Sequence, residues 1–508
     1  MGSRTARLVT LNARLANPPE AAQKHNRSSL FRSRKRAPRR GCLVVILVCV
    51  STIAGRSRIK YGWNRRDAVS SLLANSDASR IDSLVSRVLS PWRARSGVAL
   101  ADVDAAFAVN EKQDAACFIV QNIDRKLFTV GDADRRPKRG KWNPGQLFRT
   151  RRRNILQLLH RAVTVNDVPD FEATFCLHDC VVSQRRDTKH NMFSARREFV
   201  SDPVAAFSVV SCVDSMNVPF PTWDYATGYF DKWGSKIDAI VAEANAHDWI
   251  SRKAQAVFRG GQRTCVLYPK VGERSQDVPF YRVTKGDGEN AKKCGRNALL
   301  YRALSNESNH LFNVALTDGV DWRSFGHELR RPPDEPRFLS KPAQETFKYQ
   351  IIAEGECQWA NRLRDALFMG TTLIVQEHQC VEYYGLELKP WEHFIPVDYW
   401  FTNLTDAVTW AESNPAAVEK MNHAKRRYAE NFLAPERVEE YVATLMREYA
   451  KLLTSRVRRR ANAVDVDVST LAINDPPVAW GSSSTINRVI THSLNSALNF
   501  WKNRRRKN

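Results

Sequence analysis

The chain has 508 residues, long enough for two domains with a sizeable core, and a formal charge of +24. Residues 1–60 carry 14 Lys/Arg against one acidic residue and residues 456–508 carry 10 against three, which leaves the 61–455 body at 54 against 50. A nucleic-acid-binding fold carries its basic excess on the folded body, so this distribution counts against nucleic acid as the partner and leaves only a protein that uses its basic tails as that alternative.

Residues 1–40 are polar, basic and aperiodic, the composition of a disordered tail. Arg32, Arg34, Lys35, Arg36, Arg39 and Arg40 then precede an apolar run from Cys42 to Ala54. A basic cluster ahead of an apolar run is the positive-inside arrangement, which leaves the tail cytosolic and the body lumenal. A full span needs about 20 residues, and this run is shorter. It fits a short signal anchor over 41–55, a late cleaved signal peptide, or part of an Arg-rich transit peptide. In the stem that follows, 56–110, Ile81, Leu84, Val85, Val88 and Leu89 keep a helical spacing and predict a helix that touches the body.

The body alternates strands and helices. Cys117 to Val120 reads as a strand. Arg149 to Val163 reads as an amphipathic helix with Ile155, Leu156, Leu158 and Leu159 inward and Arg149 to Arg153 outward. A turn at Pro169 feeds a strand whose far end carries His178 and Asp179. Val204 to Val210 is a further strand, Pro219 to Trp223 a rigid aromatic loop, and 236–256 a helix. The strand from Ala256 breaks into the glycine turn at Gly260 and Gly261. Residues 266–293 lack a period and read as an inserted loop. A helix over 296–304 and a strand from Leu311 to Leu316 lead into the stretch from Phe347 to Val397. There an apolar lead-in meets a polar crook, a helix and a β-branched run. Val438, Tyr441, Val442, Leu445, Tyr449 and Leu452 share one face of a closing helix over 436–455, and 456–508 reads as a disordered basic tail. Side chains at the carboxyl ends of alternating strands are how open α/β sheets build sites, so the fold class is α/β with parallel sheets.

None of the ten cysteines forms C-x-x-C. Cys176 and Cys180 flank His178, but bridged or buried thiols explain them better than zinc, and an oxidising lumen permits disulfides. Asn306-Glu-Ser308 and Asn403-Leu-Thr405 are glycosylation sequons.

Four elements between 347 and 397 stand in a fixed order: Lys348-Tyr349, Arg362-Leu363-Arg364, Met369 through Ile374, and Leu388 through Val397. Together they resemble glycosyltransferase family 90, the CAP10-like group of Rumi-type protein O-glucosyltransferases and fungal xylosyltransferases. The resemblance covers about 115–455. It implies a GT-B-like pair of Rossmann-like domains facing across a cleft, an acceptor-side domain over 111–235 and a donor-binding domain over 236–435. It also implies a type II membrane protein of the Golgi or endoplasmic reticulum, held by the anchor. The expected reaction is inverting transfer of glucose or xylose from a UDP-sugar to a hydroxyl on a protein or glycan acceptor, with no metal or other cofactor.

The resemblance assigns residues as well. Arg362 matches the family arginine on the donor diphosphate, a role its planar fork suits. The crook Cys357, Gln358, Trp359 and Asn361 is expected to wrap the donor. The turn from Phe258 to Thr264 resembles a family turn in which a serine stands where this chain has Gly261. Arg296 is matched to a second diphosphate arginine, with Arg263 and Arg274 as rivals. Asp179 is matched to the base that deprotonates the acceptor. Trp223 and Trp391 fit either sugar or base stacking or core anchoring. The chain departs from the family in reading Asp179-Cys-Val-Val, without the usual proline, and in lacking the serine. These departures support an alternative, an inactive family member serving as a lumenal binding protein.

Overall fold

Runs of buried strand residues organise the body into two main sheets. The computed structural model describes residues 78–113, 117–131, 144–177, 205–212, 216–221, 233–261, 295–305, 307–317, 337–355, 360–378 and 380–471. The expected anchor over 41–55, the insertion over 266–293, and Asp179, Trp223, Arg263, Cys357, Gln358 and Trp359 lie outside these residues.

The first sheet follows two helices, α1 (Ala78–Ala94) and α2 (Leu100–Gln113). The expected stem helix is α1, and it is core rather than stem. Ile81, Leu84, Val85 and Leu89 are at most 1% exposed, and Trp92 donates its Nε1–H to Met216 O at 2.9 Å. Strand β1 (Cys117–Ile123) is buried at six of seven positions and turns back into β2 (Lys126–Val130). That hairpin escaped the sequence reading, because Asp124 and Arg125 hold positive φ without a glycine to announce the turn. Helix α3 (Pro144–Val165) covers the sheet and leads to β3 (Phe171–Cys176), antiparallel to β1. Cys117 and Cys176 face each other in register and are disulfide-bonded, as a bridged-thiol reading of Cys176 expects. Strands β4 (Ala206–Ser208) and β6 (Val218–Pro219) extend the sheet in parallel, while β5 (Ser211–Cys212) belongs to a separate ribbon. This sheet is therefore mixed, where parallel pairing alone was expected.

Helix α4 (Gly234–Asn245) precedes the second sheet. The expected helix to 256 overran, because Ile250 continues the apolar spacing yet is 86% exposed, and strand pairing starts at Lys253. Strand β7 (Lys253–Gly260), helix α5 (Gly295–Ser305), β8 (Phe312–Leu316), helix α6 (Lys341–Gln344), β9 (Phe347–Ile352), helix α7 (Arg362–Ala366), β10 (Thr372–Gln376) and β12 (Ile395–Val397) follow in chain order. All five of these strands are parallel, in the order β8-β7-β9-β10-β12. The short β11 (Cys380–Val381) pairs with β5, and Cys380 is itself disulfide-bonded. Helices α8 (Leu404–Ser413) and α9 (Pro415–Leu433) lead to α10 (Pro435–Ala450), which returns to the first sheet. Its Tyr441 hydroxyl donates to Pro219 O at 2.8 Å and its Tyr449 hydroxyl to Glu172 O at 3.1 Å.

Two further expectations change. Arg151 is not outward: it is 2% exposed and donates to Leu177 O at 2.6 Å. Residues 456–471 of the expected disordered tail are structured. Strand β13 (Val464–Asp465) pairs with the edge strand β2, and Arg460 bonds the buried carboxylate of Glu172. Arg460 looked solvated in sequence because Glu172 lies 288 residues away.

Candidate functional site

Counting β7 as the first strand of the second sheet, the order is 2-1-3-4-5, and the direction of winding reverses between β7 and β9. Parallel sheets open a crevice at the carboxyl ends of the strands flanking such a reversal, and ligands bind there. The residues that leave β7 and β9 at this point are Gly260 and Gly261 on one side and Glu354 on the other.

Two arginines converge on the crevice. Arg296, the second residue of α5, donates from Nη1 to Gly261 O at 2.6 Å and from Nε to Glu354 O at 2.8 Å. It thus spans the reversal itself. Arg362, the first residue of α7, donates from Nη1 to Arg259 O. Both guanidinium groups lie over the Phe258 ring, with Cζ at 5.7 Å for Arg296 and 4.7 Å for Arg362. At Gly260 a side chain would meet the Phe258 ring, at 2.9 Å, as well as the two guanidinium groups. A Cβ there would stand 2.6 Å from Arg362 Nη2 and 3.2 Å from Arg296 Nη1. Two cations held at one backbone position repel each other, and an anion between them relieves that repulsion.

The structure sorts the remaining expected residues. Gly261 contributes its carbonyl to Arg296. Asn361 is exposed and precedes Arg362 without a side-chain capping bond. Helix α7 has five residues, shorter than the element read from sequence, so charge from the guanidinium outweighs any helix dipole. Arg259, in the same turn, is structural: its guanidinium is pinned to Asn313 O at 2.7 Å across to β8.

Much of the sequence signature builds the support. Lys348 and Tyr349 both bond Glu412, the tyrosine at 2.6 Å. Arg364 lies buried over Trp233, with Cζ 5.1 Å from the ring centroid. Gly370 packs against the Arg252 guanidinium, which pairs with Glu345, and Gly370 N donates to that carboxylate at 3.1 Å. The buried Lys425 amine donates to the carbonyls of Met369 and Thr371. Trp391 packs edge-on against Trp410 at 4.8 Å, and His393 Nδ1 accepts from Lys389 N at 3.0 Å. The core-anchor reading of Trp391 is the one observed.

Sequence reasoning missed Glu354. Its carboxyl is buried, with Oε1 accepting from the Tyr399 hydroxyl at 2.7 Å, its N–H donating to Gln376 Oε1 at 2.8 Å, and Gln376 Nε2 donating to Tyr399 O at 2.7 Å. These bonds link the carboxyl ends of β9, β10 and β12. Burial pushes the Glu354 carboxyl up to about 8, and the Tyr399 bond and the Arg296 charge pull it back only in part. Near the same edge, burial pushes His378 down to about 4, so its imidazole is neutral at pH 7. Among the described residues no group of three or more His, Cys, Asp or Glu side chains is placed to hold a metal ion. Nor is any described helix long and apolar enough to cross a membrane.

The family model described as "Glycosyl transferase family 90" matches residues 143–478, which hold most of both sheets. Curated relatives include Protein O-glucosyltransferase 3 of Rattus norvegicus, 23% identical over 323 residues, covering 62% of this chain and 53% of the relative. Protein O-glucosyltransferase 1 of Homo sapiens is 20% identical over 269 residues, covering 51% and 59%. The O-glucosyltransferase rumi homolog of Aedes aegypti is 23% identical over 277 residues, covering 52% and 60%. The chain spans about half the length of the curated relatives it matches.

Proposed function

This chain belongs to glycosyl transferase family 90, and we propose that it transfers a sugar, glucose before xylose, from a UDP-sugar to a hydroxyl on a protein acceptor. The observation that carries the reading is the convergence of Arg296 and Arg362 on Gly260 at the winding reversal of a parallel sheet. Those guanidinium groups are suited to hold the diphosphate and to offset the charge that grows on it as the sugar–oxygen bond breaks. The proposed base is Asp179, three residues after β3 in sequence. It takes the acceptor hydroxyl proton, the oxygen attacks C1 from the face opposite UDP, the C1–O bond to UDP breaks, and the configuration at C1 inverts. No metal enters this scheme, because arginine supplies the positive charge.

The wider reading is a GT-B arrangement with the acceptor on the side of the first sheet and the donor on the second. The 2-1-3-4-5 order supports the donor half. Two further parts of the proposal are the signal anchor over 41–55 and a lumenal body in the endoplasmic reticulum or Golgi. The disulfide-bonded Cys117, Cys176 and Cys380 support an oxidising compartment.

A donor screen that follows UDP release, with folded protein acceptors and Asp179→Asn beside the wild type, tests the reading. The expected outcome is release with UDP-glucose by the wild type, and loss of transfer with donor binding retained in Asp179→Asn. Equal rates in the two proteins remove Asp179 as the base. Binding of UDP without turnover on any donor favours the inactive, binding-protein reading that the Gly261 and Asp179 departures suggest.

A further inference from the structure

We propose that Glu354 is a ligand-contacting residue of the switch-point crevice, its Oε2 meeting a hydroxyl of the bound nucleotide sugar; this rests on the donor reading above. The residue stands two positions beyond β9, and its own carbonyl holds Arg296 Nε at 2.8 Å. Its backbone is therefore part of the wall that positions one of the paired cations. The side chain is fixed from two other strands, through Tyr399 beyond β12 and Gln376 at the end of β10. Those bonds occupy Oε1 and the backbone N–H. Oε2 is buried and has no hydrogen-bond partner among the described residues. Native structures rarely leave a buried carboxyl oxygen in that state unless a ligand or water completes it.

A purely structural bracket between β9, β10 and β12 needs only Oε1, and it leaves Oε2 unexplained. The charge state narrows the occupant. Among the described residues, the charged and titratable groups facing the carboxyl are the Arg296 guanidinium and the Tyr399 hydroxyl, and burial keeps the proton on it at neutral pH. A neutral carboxyl both donates and accepts, as a hydroxyl does, whereas phosphate oxygens suit the two arginines. The matching chemistry is a sugar hydroxyl, from the ribose or from the transferred hexose.

Calorimetric titration of the full chain at pH 7 with UDP, 2′,3′-dideoxy-UDP and UDP-glucose separates these sources. If the ribose is the source, the wild type binds UDP about tenfold more tightly than the dideoxy analogue, the size of one good hydrogen bond. Glu354→Leu then abolishes that preference and leaves dideoxy-UDP affinity unchanged. If the hexose is the source, Glu354→Leu removes a similar preference for UDP-glucose over UDP. Glu354→Gln puts an amide N–H where the carboxyl O–H stood and keeps the Tyr399 bond, so it retains the preference within about threefold. Glu354→Asp, one methylene shorter, is the second loss variant should the leucine protein not fold. Equal weakening of all three ligands, or no change in any, overturns the proposal. Absence of uridine nucleotide binding to the wild type overturns the donor reading itself, and this inference with it.

Discussion

Glu354→Gln should flatten part of the protein's pH–stability curve. The folded-state carboxyl sits near 8 against an ordinary value of 4.5. Between those values the folded chain holds a proton that the unfolded chain lacks, so unfolding releases one. Stability from this group is complete below pH 4.5 and is lost as pH rises through about 8, at about 1.4 kcal/mol per pH unit inside the window. From pH 5 to pH 8 the loss is about 3.5 kcal/mol. Glutamine keeps the shape and the Tyr399 bond but does not titrate. Urea unfolding followed by tryptophan fluorescence at pH 5, 6.5 and 8 gives the difference between the two proteins. Lys425 and His378 titrate with the opposite sense but are common to both, so they cancel in that difference. Glu354→Gln should gain on the wild type by about 3.5 kcal/mol across the range. A flat difference would refute the protonated buried carboxyl.

Gly260→Ala places a methyl 2.6 Å from Arg362 Nη2 and 2.9 Å from Phe258 Cζ, so the Arg362 guanidinium must shift and the ring beneath both arginines with it; UDP affinity measured by calorimetry should fall at least tenfold, with a stability loss of only about 1–2 kcal/mol. Lys425→Met removes the donor to Met369 O and Thr371 O, at a cost of about 1–3 kcal/mol in urea. It also alters the pH response: burial pushes that amine from 10.5 to about 7, so wild-type stability should climb from pH 7 toward 10.5, and the methionine variant should lose this climb. Cys117→Ser opens the bond to Cys176, 59 residues away, and should cost about 4 kcal/mol by loop-closure entropy, read as a lowered urea midpoint.

What was legible in the sequence followed local pattern. The helical spacing of Ile81 to Leu89, the apolar run at β1, and the strand–crook–helix–strand signature all rest on neighbours within one or two turns. The convergence of Arg362 with Arg296 was legible only through the resemblance, because the two stand 66 positions apart with no local sign of contact. Glu354 gave no signal at all. In sequence it is one of two glutamates flanking Gly355, the composition of a solvated loop, and its burial depends on Gln376 and Tyr399, 22 and 45 residues later. Arg151 and Arg460 failed in the same way: arginine reads as surface until a distant carbonyl or carboxylate takes it inside.

The pairing of β13 with β2 has a practical consequence for where the chain can be cut. A recombinant boundary drawn at Arg456, where the basic composition begins, would strip the outermost strand and bare a sheet edge to self-association. It would also leave Glu172, 1% exposed, without its Arg460 counter-ion. Trimming beyond Leu471 keeps both.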